Sequence, residues 1–297
     1  MPRERHNRAY HLRPIPSCRR RRRMLNPVQL RRYREDGYVV LPQFKPAAAL
    51  RALRRRAHEI VESFEPQAGS GVFSTRDQRA DAWFLGSADS VRCFFEEDAF
   101  DERGALRQAK ALSINKIGHA LHERDPEFAA FSHGPDWAEL AHDLGLAAPQ
   151  LWQSMFIFKQ PGIGGEVRWH QDATFLHSEP ITVTGFWIAL EDASVDNGCL
   201  RVAPGGHHGP LRQRFVRDGD AVRFVTLDET PWPVIDKAVP LEVQAGTLVC
   251  FHGLLPHYSA PNRSPQSRHA YTLHAVDGGS RWSSDNWLRR AGVPGGF

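Results

Sequence analysis

The segment VRWHQDATFLH, residues 167–177, reads as a strand that carries His170 and Asp172 two positions apart. In extended backbone that spacing sends both side chains to one face, about 6.5–7 Å apart along the chain. An imidazole and a carboxylate so placed can converge on one metal ion. Working outward, the text after Pro149 keeps the same texture: LWQSMFIFKQ, TVTGFWIALE, LRVAPGG, AVPLEV, TLVCFHG, HYSAP and HAYTLHAVD. These short apolar or alternating stretches, punctuated by Gly, Pro and Asp/Asn turns, predict a mainly β sandwich or jelly-roll barrel. The cluster PGIGGE from Pro161 precedes the HQD strand rather than a helix, so it reads as a turn and not a phosphate loop.

The half before Pro149 is different. Asn26 caps a predicted helix that opens with Pro27 and stops at Gly37, and Tyr38–Leu41 follows as a strand. A longer helix is predicted from about Ala47 to Phe64, with Leu50, Leu53, Ala57, Ile60 and Val61 along one side and Arg51, Arg54, Arg55 and Arg56 solvated. Residues 66–80 read as a loop. Residues 91–145 read as helical pieces, among them INKIGHALHERDPEFAAF and WAELAHDLGL. The expectation is one domain over residues 24–297, with N-terminal and flanking helices around a β core.

The formal charge of +4 conceals a local excess. Of 38 basic and 34 acidic residues, nine arginines and one acid, Glu4, lie in residues 1–23, so the rest of the chain is mildly acidic. That balance gives no basic stripe for a nucleic-acid partner. Residues 1–23 read as a disordered basic tail or an extension ahead of Met24; Pro2, Pro14 and Pro16 make them poor material for an amphipathic transit helix. The four cysteines have no C-x-x-C spacing, and Cys199 and Cys250 sit among apolar neighbours. This is the usage of a reducing cytoplasm. No run is long enough to span a membrane. A small-molecule partner and a monomer are expected.

A third ligand must come from elsewhere in the barrel. His257, after the apolar strand TLVCFHG, is the better candidate, with His252 its competitor. Two imidazoles and one carboxylate on one face of an octahedron, with the other face open, are the donor set of non-haem iron(II) oxygenases. Arg268, eleven residues beyond His257 and placed early in a strand, offers a guanidinium fork for a carboxylate. A barrel that holds a metal or small carboxylate without turnover is the competing reading.

Four blocks carry a resemblance: SINKIGHALHERDP from Ser113, QSMFIFKQPGIGGEVRWHQDATFLHSEP from Gln153, GFWIALEDASVDNGCLRVAPGGHHG from Gly185, and HGLLPHYSAPNRSPQSRHAYTLH from His252. Through them the sequence resembles the phytanoyl-CoA dioxygenase family, and within it the branch of domain-containing protein 1, over about Leu25 to Leu288. The resemblance implies a double-stranded β-helix of cupin-like type, iron(II), 2-oxoglutarate and O₂, and hydroxylation at carbon. Position by position it implies metal ligands at His170, Asp172 and His257 and a 2-oxoglutarate anchor at Arg268. It also places Lys116, Gln153, Met155 and Trp187 in the cosubstrate pocket. The family's P-G-S-H turn reads Pro204, Gly205, Gly206, His207 here, which spares every implied ligand. Asp172 is retained where halogenating relatives carry a small residue, so hydroxylation of a small or lipid-like metabolite, with release of succinate and CO₂, is the expected outcome.

Overall fold

The structure is a computed structural model that describes residues 23–66, 71–72 and 82–297. The basic tail and most of the loop expected at 66–80 lie outside the described residues. Asn26 begins the first helix as expected. Its side chain accepts from the backbone N–H of Val28 and Gln29, while Gln29 reaches back to the Asn26 N–H at 2.9 Å, a reciprocal capping box. Gly37, at φ 83°, ends the helix in a left-handed conformation that a side chain would resist.

Among the described residues the α-helices are α1 (Pro27–Asp36), α2 (Ala47–Ser63), α3 (Ala82–Leu85), α4 (Leu121–Arg124), α5 (Pro126–Ser132) and α6 (Pro135–Asp143). The strands are β1 (Tyr38–Leu41), β2 (Val91–Phe95), β3 (Ile114–His119), β4 (Pro149–Ile157), β5 (Val167–His170), β6 (Ser178–Glu179), β7 (Thr184–Ala189) and β8 (Leu200–Val202). They continue as β9 (Gln213–Asp218), β10 (Ala221–Thr226), β11 (Val239–Leu241), β12 (Leu248–His252), β13 (His257–Ser259), β14 (Ala270–Asp277) and β15 (Arg281–Trp282). A seven-stranded antiparallel sheet runs in the order β1-β12-β7-β14-β4-β3-β2, and a four-stranded sheet runs β11-β8-β13-β5. The fold is the expected mainly β jelly roll.

Strand alternation explains how the large sheet serves two neighbours at once. Phe156, Phe186, Ile188, Cys250, Tyr271 and Leu273 point outward and pack with Leu50, Leu53, Ala57 and Val61 of α2, Phe128 of α5 and Trp137 of α6. The intervening Trp187, Ala189, Val249 and Phe251 point inward, where they meet Leu200, Val202 and Leu241 of the small sheet. Cys199 and Cys250 are buried free thiols. Among the described residues no helix is long and apolar enough to cross a membrane.

Three expectations need correction. Residues 91–95 and 114–119 are strands, so the helical reading of 91–145 holds only from Leu121 onward. β3 contributes both Lys116 and His119 to a cavity while Ile117 joins the core, so the usual contrast between an apolar and a solvated face is missing. The HQD strand ends at His170: Asp172 opens a 3₁₀ turn, Asp172–Thr174, and alternation persists only because Gln171 is still extended. Arg268 precedes β14 rather than lying within it.

Candidate active site

The two imidazoles are brought together by sheet register. In the small sheet His257 of β13 lies directly opposite His170 of β5, with ring centroids 4.1 Å apart. Asp172 enters from the turn after β5. Its Oδ1 lies 3.9 Å from His170 Nε2 and 3.6 Å from His257 Nε2. One ligand atom from each residue falls within 4.8 Å of the others. His252 takes no part; its Nδ1 accepts from the Leu254 N–H at 3.1 Å.

Each imidazole is oriented by its own chain. His170 Nδ1 is 2.9 Å from the Arg168 carbonyl, and His257 Nδ1 is 3.0 Å from the Leu255 carbonyl. A carbonyl can only accept, so both Nδ1 atoms carry hydrogen and both Nε2 lone pairs are free toward Asp172 Oδ1. Burial and the neighbouring His257 push the His170 imidazole down to about 3, so it stays neutral and available as a ligand. Two oriented imidazoles and a carboxylate form a donor set that fits iron(II).

Two further residues shape the place of Asp172. His274 of β14 sets its Nε2 3.3 Å from Asp172 Oδ2, on the side away from the two imidazoles. Beneath it, a Cβ at Gly185 would stand 2.7 Å from Asp172 Oδ2 and 2.5 Å from a Phe251 ring carbon. Only glycine leaves the carboxylate that room.

The triad opens on a cavity of ≈ 230 Å³ that Lys116, Gln153, Met155, Trp187 and Arg268 also line. Arg268 is 2% exposed. Its Nε donates to the Gly198 carbonyl at 3.2 Å, its Nη2 to Ser259 Oγ at 3.2 Å, and the guanidinium lies 5.4 Å from the Trp187 ring centroid. Among the described residues the buried Nη1 meets no hydrogen-bond partner. A buried cation with a donor to spare calls for an anionic ligand. Lys116 is 8% exposed on an inward-facing strand position, and burial pushes its ammonium down to about 7 against the opposing pull of Glu96.

Sequence reading missed several participants. Ser259, two positions past His257 on the same strand face, is signalled by that alternation, whereas His274 is placed by the register of β14. Lys159, buried with its Nζ donating to the Gly165 carbonyl at 2.5 Å, left no such signal. The β9–β10 hairpin, which brings Phe215 and Phe224 to the cavity, was announced by Asp218-Gly219, with Gly219 at φ 59° in the turn.

With the geometry in place, comparisons with known proteins decide the lineage. A profile of the family Phytanoyl-CoA dioxygenase (PhyH) matches residues 33–270. The chain belongs to this family. It is 49% identical over 272 residues to phytanoyl-CoA dioxygenase 1 of Oryza sativa subsp. japonica, covering 90% of this chain and 94% of that one. To phytanoyl-CoA dioxygenase domain-containing protein 1 of Bos taurus it is 44% identical over 276 residues, covering 89% and 95%. Among solved structures, the non-haem α-ketoglutarate-dependent carbocyclase SnoK from nogalamycin biosynthesis superposes with TM-score 0.62 at 20% identity, covering 92% and 94% of the two chains. EctD from S. alaskensis with bound Fe gives TM-score 0.62 at 18% identity, covering 92% and 86%. These two likenesses establish the shared double-stranded β-helix of this family member.

Proposed function

We propose that this PhyH-family chain is an iron(II)- and 2-oxoglutarate-dependent dioxygenase that hydroxylates an unactivated carbon of a small or lipid-like metabolite. The observation that carries the reading is the convergence of His170 Nε2, His257 Nε2 and Asp172 Oδ1, with both imidazoles locked in the ligating tautomer. In it His170, Asp172 and His257 would hold the metal, and Arg268 would hold the distal carboxylate of the cosubstrate. Bound iron(II), with O₂ and 2-oxoglutarate, supplies the oxidising power for C–H hydroxylation and leaves succinate and CO₂.

The chain's own residues provide position and surroundings. Arg268 is held by Gly198 and Ser259 and faced by Trp187, so its free Nη1 is presented without a further loss of rotamer freedom. Lys116 adds a cation in the same half of the cavity. Phe175, Phe215 and Phe224 pack against one another at the other wall, with centroids 4.9–6.0 Å apart and Phe175 edge to face on Phe224, and exclude water from the reacting carbon.

The test is succinate release over a metabolite panel, using protein loaded anaerobically with iron(II), against Asp172→Ala. Iron-dependent succinate that the variant does not form is the expected result. A folded protein that takes up no iron, or a variant as active as the parent, would overturn the reading.

A further inference from the structure

The end of the cavity away from Arg268 holds a hydrogen-bonding group that this chemistry does not use. His119 closes β3, is 1% exposed, and lines the cavity. Its ring sits among Phe84, Phe94 and Trp287, at centroid distances of 5.4, 5.5 and 4.9 Å. Its Nδ1 lies 2.7 Å from Ser87 Oγ. Ser87 has a single proton, and that proton is committed: Oγ donates to the Phe84 carbonyl at 2.5 Å. Ser87 Oγ must therefore accept from His119 Nδ1–H, which leaves Nε2 as a bare lone pair in the neutral ring. Burial first, then Lys116, Arg290 and His274, hold the imidazole well below its ordinary value and keep it neutral. Among the described residues no donor meets Nε2.

The surroundings define what could. Gln153 has no hydrogen bond from its side-chain amide to a described residue, and it is paired with His274 one position before Ser154, the partner of His119. Otherwise this end is walled by the aromatic rings of Phe84, Phe94 and Trp287, with Phe175, Phe215 and Phe224 in the same apolar cluster as Phe84 and Trp287. Arg268 belongs to the opposite end, since β14 begins two residues after it and His274 lies further along that strand. A carboxylate placed against His119 would set lone pair against lone pair in a desolvated site.

We infer that this end is the substrate subsite, and that it takes an uncharged, apolar molecule that donates a hydrogen bond, from a hydroxyl or amide N–H, to His119 Nε2. The inference rests on reading the cavity as an oxygenase site, but it can fail separately. The probes are phenylpropanol, its methyl ether and phenylpropanoate. Each is titrated, by calorimetry and by quenching of tryptophan fluorescence, into the full chain loaded anaerobically with iron(II) and 2-oxoglutarate, and into the metal-free chain. Should iron or 2-oxoglutarate not bind, the oxygenase reading falls while the metal-free arm still reads the subsite.

The alcohol is expected to bind about five- to tenfold more tightly than the ether, the worth of one neutral hydrogen bond, and the acid most weakly. His119→Phe keeps an aromatic ring and removes the acceptor, so it brings the alcohol-to-ether ratio to about one with the ether's affinity retained. Ser87→Ala frees the tautomer and lowers the ratio part-way; it carries the test if His119→Phe does not fold. Equal binding of alcohol and ether by the parent chain, an undiminished ratio in a folded variant, tighter binding of the acid, or no binding of the alcohol up to its solubility would each overturn the inference.

Discussion

Replacing Arg268 by methionine should uncouple cosubstrate binding from metal binding. The guanidinium is buried, and burial pushes it down to about 10 from 12.5, a desolvation penalty of about 3 kcal/mol that the folded apo protein carries at neutral pH. A carboxylate that accepts from Nη1 offsets this cost. Hydrogen bonds to a charged group contribute about 1.5–3 kcal/mol each, so removing the fork should cost about 3 kcal/mol or more of affinity. That is roughly a 100-fold rise or more in the dissociation constant of 2-oxoglutarate, measured by anaerobic calorimetry on iron(II)-loaded protein. Metal affinity should be unchanged, because Arg268 is bonded to Ser259 and Gly198 and supplies no atom of the triad. The apo variant should melt no lower than the parent: methionine fills the space without a charge, and Ser259 Oγ still satisfies the Gly198 carbonyl at 2.8 Å. Arg268→Lys keeps the charge but not the fork and should fall between the two. A 2-oxoglutarate affinity within threefold or so of the parent in Arg268→Met would refute the assignment of the anchor.

His274→Phe removes the group beside Asp172 Oδ2 and should weaken metal binding about 10- to 100-fold in a chelator competition, while the melting temperature of the apo protein changes little. Gly185→Ala drives a methyl group onto the same carboxylate and should lower metal affinity at least about tenfold, with the far-ultraviolet circular dichroism unchanged. Lys116, pushed down to about 7, is cationic below that pH and neutral above it. The affinity for dianionic 2-oxoglutarate should therefore be full below about 7 and fall as pH rises toward 9, with proton uptake on binding read by calorimetry in buffers of different ionisation enthalpy. Lys116→Met should flatten that profile.

The β half of the fold was legible because its strands are bounded by Gly, Pro and Asp turns, and the triad because H-x-D keeps its alternation through Gln171. What hid β2 and β3 was their surroundings: with helices on one side and a polar cavity on the other, Ile114–His119 shows no exposed face to contrast with a buried one. The spacing of His119, three residues past Lys116, also looks helical although both residues reach the cavity from a strand. Arg268 was singled out by chemistry and distance in sequence, but its hold on Ser259 and Gly198 depends on tertiary contacts that no local pattern encodes. The same is true of His274 beside Asp172 and of the space at Gly185, which follow from the register of β14 and β7.

The facing of His257 with His170 across β13 and β5 has a bearing on biosynthesis. The first histidine emerges from the ribosome long before the second, with strands β6 to β12 encoded between them. A partly made chain thus lacks the full claw for a transition metal, and a redox-active ion is captured only once the small sheet has zipped its outermost strand into place. Delayed assembly keeps oxidising chemistry away from a nascent polypeptide whose aromatic lining is still bare.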